Sequence, residues 1–306
     1  MQGEKILVTG PAGQIAFPMC RSLVDDNDVW GVARFGDPAS RQRVEDIGVT
    51  TRTLDLSTDD LSELPDDFTS LLHLAAYQGS DLDYDHAISV NAEATGRILA
   101  HCRRAKAALV MSTASVYQPD EDPYHAFLET DPLGNVRTPW APTYAVSKIA
   151  QEAVARTCAR LFDVPVVIAR MNASYGPNGG LPAYHLDTMM AGKPVIIRHD
   201  PCPYSLIHED DINAQVEPLL GAASVPATIV NWGGDDQVTP NEWCAYYSEL
   251  TGRPAEVVVM EAPGSMIGNV LDPTKRRAIT GPCKVSWRDG VRSVVARRHP
   301  DALLPG

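Results

Sequence analysis

From Lys5 onward, short and nearly continuous apolar runs alternate with amphipathic stretches. The runs KILVTG (5–10), DVWGVAR (28–34), TTRTLDL (50–56), SLLHLAA (70–76), AALVMST (107–113) and VPVVIAR (164–170) have the length and composition of strands. Between them, 14–25, 86–104 and 144–162 carry helical spacing. Strands alternating with helices predict right-handed βαβ units, hence a doubly wound α/β fold with helices on both faces of a parallel sheet. Unbroken apolar strands such as VPVVIA fit a sheet covered on both sides.

After Arg170 the rhythm changes. The stretch MNASYGPNGGLP is rich in turn formers, and shorter, less regular elements follow. A helix near 210–222 and the strand ATIVNW (227–232) predict a return to the sheet. The expected organisation is a cofactor-binding domain over 1–171, with 205–233 returning to it, and a smaller, discontinuous substrate-binding part within 172–306. No internal repeat or low-complexity tract is evident.

The chain has 306 residues and a net charge of −13, which argues against a nucleic-acid or anionic-membrane surface. An anionic cofactor remains compatible with that charge, because helix N-termini bind phosphates locally. Six scattered cysteines without a C-x-x-C pair suit reduced thiols better than a disulfide frame or zinc site. The histidines show no metal-ligand spacing, so no metal is expected. The start MQGEKILVTG has no apolar signal region, and no apolar run reaches the ~20 residues of a membrane helix. These readings predict a cytoplasmic, soluble protein.

The turn VTGPAGQIA (8–16) gives G-x-x-G-x-x-A between the first strand and the first helix, with Gly10, Gly13 and Ala16. A dinucleotide needs this arrangement for a tight turn, close backbone approach to its pyrophosphate, and a small residue where helix meets strand. The domain is therefore read as Rossmann-type. An acidic residue ending the second strand would bind the ribose 2′-hydroxyl of NAD, whereas Arg there accommodates the 2′-phosphate of NADP. Here Ala33 is followed by Arg34, with Arg41 and Arg43 close behind, so NADP(H) is expected over NAD(H). Asp55 of LDL (54–56) is expected near the adenine amino group.

In APTYAVSK (141–148), Tyr144 and Lys148 share one helical face. A phenol with a pKa of about 10 is a poor base at neutral pH, and a nearby ammonium is expected to lower that value. The strand before it offers Ser112, Thr113 and Ser115 as hydroxyl partners.

Taken in order, the glycine turn, HLAA (73–76), VN (90–91), STASVY (112–117), YAVSK (144–148), ARMNASYGP (169–177) and LIHEDDI (206–212) resemble the extended short-chain dehydrogenase/reductases. That is the NAD(P)-dependent epimerase/dehydratase family, and the likeness weakens after about residue 260. The resemblance implies Tyr144 as proton donor and acceptor, Lys148 on the nicotinamide ribose, and Thr113 on the reacting oxygen. It places the cofactor against Gly10, Gly13, Gln14, Ile15, Arg34, Asp55, Leu56, Leu74, Ala75, Ala76 and Asn91, as well as Tyr144 and Lys148. His73 and Asn91 fall at motif positions that fix loop and helix geometry near the cofactor, and His208 and Asp211 at positions with architectural roles. Tyr77, Ser115, Trp140, Asn172, Arg198 and Tyr204 are candidates for the substrate, with His185 a further pocket candidate. The resemblance also implies a homodimer through helices 86–104 and 144–162.

Departures from the pattern bear on the reaction. Sugar dehydratases of this type carry an Asp-Glu pair after the catalytic Thr, where this chain has Ala114 and Ser115. Nucleotide-sugar epimerases place an Asn three residues after the strand Arg and an Arg four before the His of the IH motif. Here those positions hold Ala173 and Tyr204, with Asn172 and Arg198 as possible substitutes. The expected activity is an NAD(P)-dependent oxidoreductase acting between a ketone and a secondary alcohol of a small-molecule substrate. An epimerase retaining NAD is the alternative, and a non-catalytic cofactor-sensing protein is a remote one.

Overall fold

The computed structural model describes residues 1–305. Seven strands form one sheet in the order Thr228–Trp232, Val166–Met171, β5 (Ala107–Thr113), β4 (Ser70–His73), β1 (Lys5–Thr9), β2 (Asp28–Ala33) and β3 (Thr50–Thr53). β1 runs parallel to both β2 and β4, β2 to β3, and β4 to β5. Strand order therefore reverses at β1, the switch point where this architecture binds ligands beyond the strands' carboxyl ends.

Alternation along the strands explains the two covered faces. Leu7, Val32, Leu71, Val110 and Ile168 share a core with Ile98, Leu99, Ala155 and Ala159, which lie on helices. Their neighbours Ile6, Val8, Leu72 and Leu109 point the other way and are equally buried.

Helix α1 (Ala16–Leu23) follows the glycine turn, and α2 (Pro38–Glu45) begins with Asp37 as N-cap and Pro38 in the first turn. The expected helix over 86–104 is interrupted. It forms α3 (Tyr84–Ile88), a π-turn over Ser89–Glu93 and α4 (Ala94–His101). The π-turn holds Asn91, whose buried side chain bonds Tyr77 and Ser147 on neighbouring elements; π-turns are frequent at functional sites. Helix α5 (Tyr144–Phe162) ends where Asp163 takes a left-handed conformation.

The chain divides into two compact units. The first comprises Met1–Val116, Pro139–Arg170 and Gln215–Val230, and the second Tyr117–Thr138, Met171–Ala214 and Asn231 onward. The second has its own core of Tyr175, Leu186, Ile197, Trp243, Tyr247 and Val294. Its helix Pro240–Thr251 starts with a capping box, Thr239 and Glu242 satisfying each other's backbone N–H. Among the described residues no helix is long and apolar enough to cross a membrane.

Candidate active site

The glycine turn follows β1. Gly10 has φ of +67°, a left-handed conformation that suits glycine, and an added Cβ would meet Ala75 Cα at 3.2 Å. Gly13 donates its N–H to the Gly10 carbonyl at 2.9 Å and is exposed, while Ala16 is buried at the start of α1. A tight turn, an open backbone face and a small residue at the helix–strand contact are the features a pyrophosphate requires. Gln14 and Ile15 are half-buried beside it.

At the end of β2, Arg34 is exposed, and its charge reaches Asp55 and Tyr77. Asp55 accepts from the Ser57 hydroxyl at 2.6 Å and the Ser57 N–H at 2.9 Å, bonds that hold its carboxyl below the usual range. Leu56 is buried next to it. The other two arginines of this region have local partners. Arg41 pairs with Glu45 at 2.8 Å and reaches Thr51 at 3.0 Å, and the Arg43 guanidinium lies 3.7 Å from the centre of the Phe17 ring.

The loop after β4 carries Leu74, Ala75, Ala76, Tyr77 and Gln78. Asn91 clamps it, accepting from Tyr77 N–H at 2.7 Å and donating to the Tyr77 carbonyl at 3.0 Å. Its remaining amide hydrogen goes to Ser147 Oγ at 2.8 Å. These three bonds make the Asn91 side chain a latch between this loop and α5, the geometry-fixing role its motif position implies.

The three hydroxyls of the strand end separate by orientation. Ser112 donates to Glu152 Oε1 at 2.6 Å, on the α5 side. Thr113 accepts from Ser115 N–H at 3.2 Å and hydrogen-bonds the Tyr144 hydroxyl. Gln78 makes the second side-chain hydrogen bond to that hydroxyl. Lys148 is fully buried, donates to the Met111 carbonyl at 2.6 Å, and lies 5.9 Å from the centre of the Tyr144 ring.

This geometry corrects the expected electrostatics. Burial raises the Tyr144 pKa, and the hydrogen bonds from Gln78 and Thr113, rather than a cation, oppose the rise. Burial also pushes the Lys148 ammonium down to about 7, opposed by the charge of Glu152. Glu152 was not singled out from the sequence, although its place one turn beyond Lys148 is an i,i+4 signal. Gln78 gave no sequence signal.

A profile of the NAD dependent epimerase/dehydratase family matches residues 6–212. The chain belongs to that family. It is 26% identical over 271 residues to the uncharacterised UDP-glucose epimerase YtcB of Bacillus subtilis, covering 82% of this chain and 83% of that protein. The structure resembles UDP-glucuronic acid 4-epimerase from Bacillus cereus, solved with UDP-glucuronic acid and NAD. The TM-score is 0.83 and the identity 23%, over 96% of this chain and 99% of that one. It also resembles UDP-glucose 4-epimerase of Thermus thermophilus in complex with NAD, with a TM-score of 0.80 and 21% identity over 95% and 98% of the two chains.

For this member of the epimerase/dehydratase family, the remaining candidates divide sharply. Tyr77 turns its hydroxyl to Asp81 and its ring edge-on to His86, with centroids 4.8 Å apart. Ser115 is half-buried and Trp140 exposed. Asn172 donates to the Asn269 carbonyl at 2.7 Å and accepts from Ala173 N–H at 2.8 Å. Arg198 is half-buried with its charge reaching Tyr204, whose ring lies 5.9 Å from that of Trp243. His185 accepts from Trp243 Nε1 at 3.1 Å, and burial lowers its pKa to about 4. His208 contacts Ser293 and Tyr175, while Asp211 accepts from the backbone of Lys284 and Val285. Among the described residues no cluster of three His, Cys, Asp or Glu side chains could hold a metal ion.

Proposed function

We propose that the protein is an NAD-dependent epimerase that inverts one carbinol of a sugar, in the form of a nucleotide sugar, without releasing its cofactor. The observation that carries this reading is the hydrogen bond between Tyr144 and Thr113 with Lys148 buried beside them. The family and the activities of its relatives support a sugar substrate over a generic ketone.

NAD, when bound, supplies the acceptor and then the donor of a hydride. Tyr144 takes the proton of the carbinol hydroxyl during oxidation and returns it during reduction. Thr113 holds the reacting oxygen in line with the phenol. Gln78 and Thr113 stabilise the phenolate form of Tyr144, and Lys148, whose protonated form the Glu152 charge favours against burial, would hold the nicotinamide ribose. The keto intermediate must rotate between the two transfers so that hydride returns to its other face.

For the cofactor, NAD is favoured because the similar epimerases were solved with NAD and because Arg41 and Arg43 have partners of their own. The expectation of NADP rested on Arg34 following Ala33 at the end of the second strand, with Arg41 and Arg43 close behind. For the substrate diphosphate, Arg198 is the cation that takes the place of the missing arginine at Tyr204. The protein is further proposed to act as a cytoplasmic homodimer.

A reductase with a dissociable cofactor is the second reading, favoured by Ala173 and Tyr204 at the two anchor positions. Denaturing the freshly purified protein and weighing the released nucleotide separates the two. Near-stoichiometric NAD, together with interconversion of UDP-sugar epimers followed by proton NMR, supports the epimerase. An empty protein that prefers NADPH to NADH supports the reductase.

A further inference from the structure

Beneath the glycine turn runs a chain of buried polar side chains that the proposed chemistry does not use. Thr9 is the last residue of β1, immediately before Gly10. Its Oγ1 accepts from Leu74 N–H at 3.0 Å and Ala75 N–H at 2.9 Å. A hydroxyl has two acceptor positions and one proton. With both acceptor positions filled, the proton goes to His73 Nδ1 at 2.9 Å.

His73 must then carry its own proton on Nε2, which faces Thr95 Oγ1 at 2.8 Å. The Thr95 hydroxyl donates to the Asn91 carbonyl at 2.7 Å and accepts from Gln151 Nε2 at 2.9 Å. Gln151 lies on α5, three residues beyond Lys148. Thr9, His73, Thr95 and Gln151 are all buried, and each hydrogen bond between them has one possible donor.

We propose that His73, held as a neutral imidazole between Thr9 and Thr95, is a positioning residue that fixes the glycine turn relative to the helix of Tyr144 and Lys148. A second observation ties the chain to the cofactor end. Gly10 packs so tightly on Ala75 that an added Cβ would come within 3.2 Å of its Cα, and Ala75 is one of the residues whose N–H Thr9 holds. Displacing Thr9 therefore moves the surface on which the turn rests. At the other end, Gln151 reads the position of α5. One bound dinucleotide spans both ends, so the chain pre-sets their separation and lowers the ordering that binding would otherwise require.

The inference rests on the dinucleotide reading above, and its test separates the two. NAD binding is titrated calorimetrically at low temperature on protein stripped of nucleotide with charcoal. Thr9→Val and Thr95→Val are expected to weaken NAD by roughly fivefold or more, whereas Thr9→Ser, which keeps the hydroxyl, stays near wild type. The Thr95 hydroxyl bonds His73, the Asn91 carbonyl and Gln151 rather than the glycine turn, so its effect on affinity reports transmission through this buried chain. A merely structural role would lower the melting temperature of Thr95→Val and leave the affinity of the folded protein unchanged, and that result overturns the proposal. Should Thr95→Val fail to fold, the nearly isosteric Gln151→Met removes only the link from α5; unchanged affinity there overturns the proposal equally. Wild-type protein that binds no dinucleotide would instead refute the cofactor reading itself.

Discussion

The Arg170 guanidinium grips the Glu152 carboxylate through two hydrogen bonds, 2.9 Å from Nε and 2.7 Å from Nη2, and both side chains are buried. Ser112 adds a third donor at 2.6 Å. The charge of this carboxylate is the one that opposes the fall of the Lys148 pKa. Replacing it neutralises one partner of a buried pair and leaves the other uncompensated. Glu152→Gln is therefore expected to cost about 3–5 kcal/mol of stability in a urea melt. Loss below 1 kcal/mol would mean that Arg170 finds another anion.

The lysine itself gives a prediction with a definite sign. Burial lowers Lys148 from 10.5 to about 7, so between those pH values the unfolded chain binds more protons than the folded one. Stability contributed by this site thus rises with pH from 7 to about 10.5, and the penalty is largest below 7. Lys148→Met removes the penalty. Its melting temperature should exceed wild type by several degrees at pH 6 and approach it near pH 10, while activity is lost. A melting advantage that does not shrink with rising pH would show that packing, not charge, governs the position.

Much of this site could be read from the sequence, for reasons that differ by residue. Six of the seven sheet strands lie within the expected runs and Val166–Met171 ends one residue beyond its run, because burial on both faces of the central strands writes a local, continuous apolar signal. The π-turn left no mark in the residue pattern of 86–104, and the bonds of its Asn91 to Tyr77 and Ser147 are contacts set by tertiary structure. Arg41 and Arg43 looked like phosphate ligands because a sequence does not show that Thr51 and Phe17 would fold beside them. Spacing also placed Tyr144 and Lys148 on one helix face, yet could not reveal that burial would dominate both pKa values.

Gln78 supplies a prediction of its own. Its hydrogen bond to the Tyr144 hydroxyl favours the phenolate, opposing the rise caused by burial. Gln78→Leu removes that donor, so the tyrosine pKa moves up and less of the base form exists at any given pH. The ascending limb of the pH–rate profile should shift to higher pH by up to about one unit, a change worth ~1.4 kcal/mol. A profile that falls in height without moving would assign Gln78 to substrate binding instead.

Tyr144→Phe isolates the proton step. The ring is half-buried at the first position of α5, and phenylalanine preserves its packing while removing the hydroxyl that Thr113 and Gln78 contact. The other residues set against the cofactor keep their hydroxyls and amines, Lys148 with its bond to the Met111 carbonyl among them. Turnover is expected to fall by about 10²-fold or more, with NAD affinity changed by less than about threefold, or 0.7 kcal/mol. Single-turnover oxidation and equilibrium titration on the same preparation measure the two quantities. If turnover survives, another group moves the proton and Tyr144 only shapes the pocket; if affinity falls with turnover, the phenol belongs to the cofactor's binding surface as much as to the chemistry.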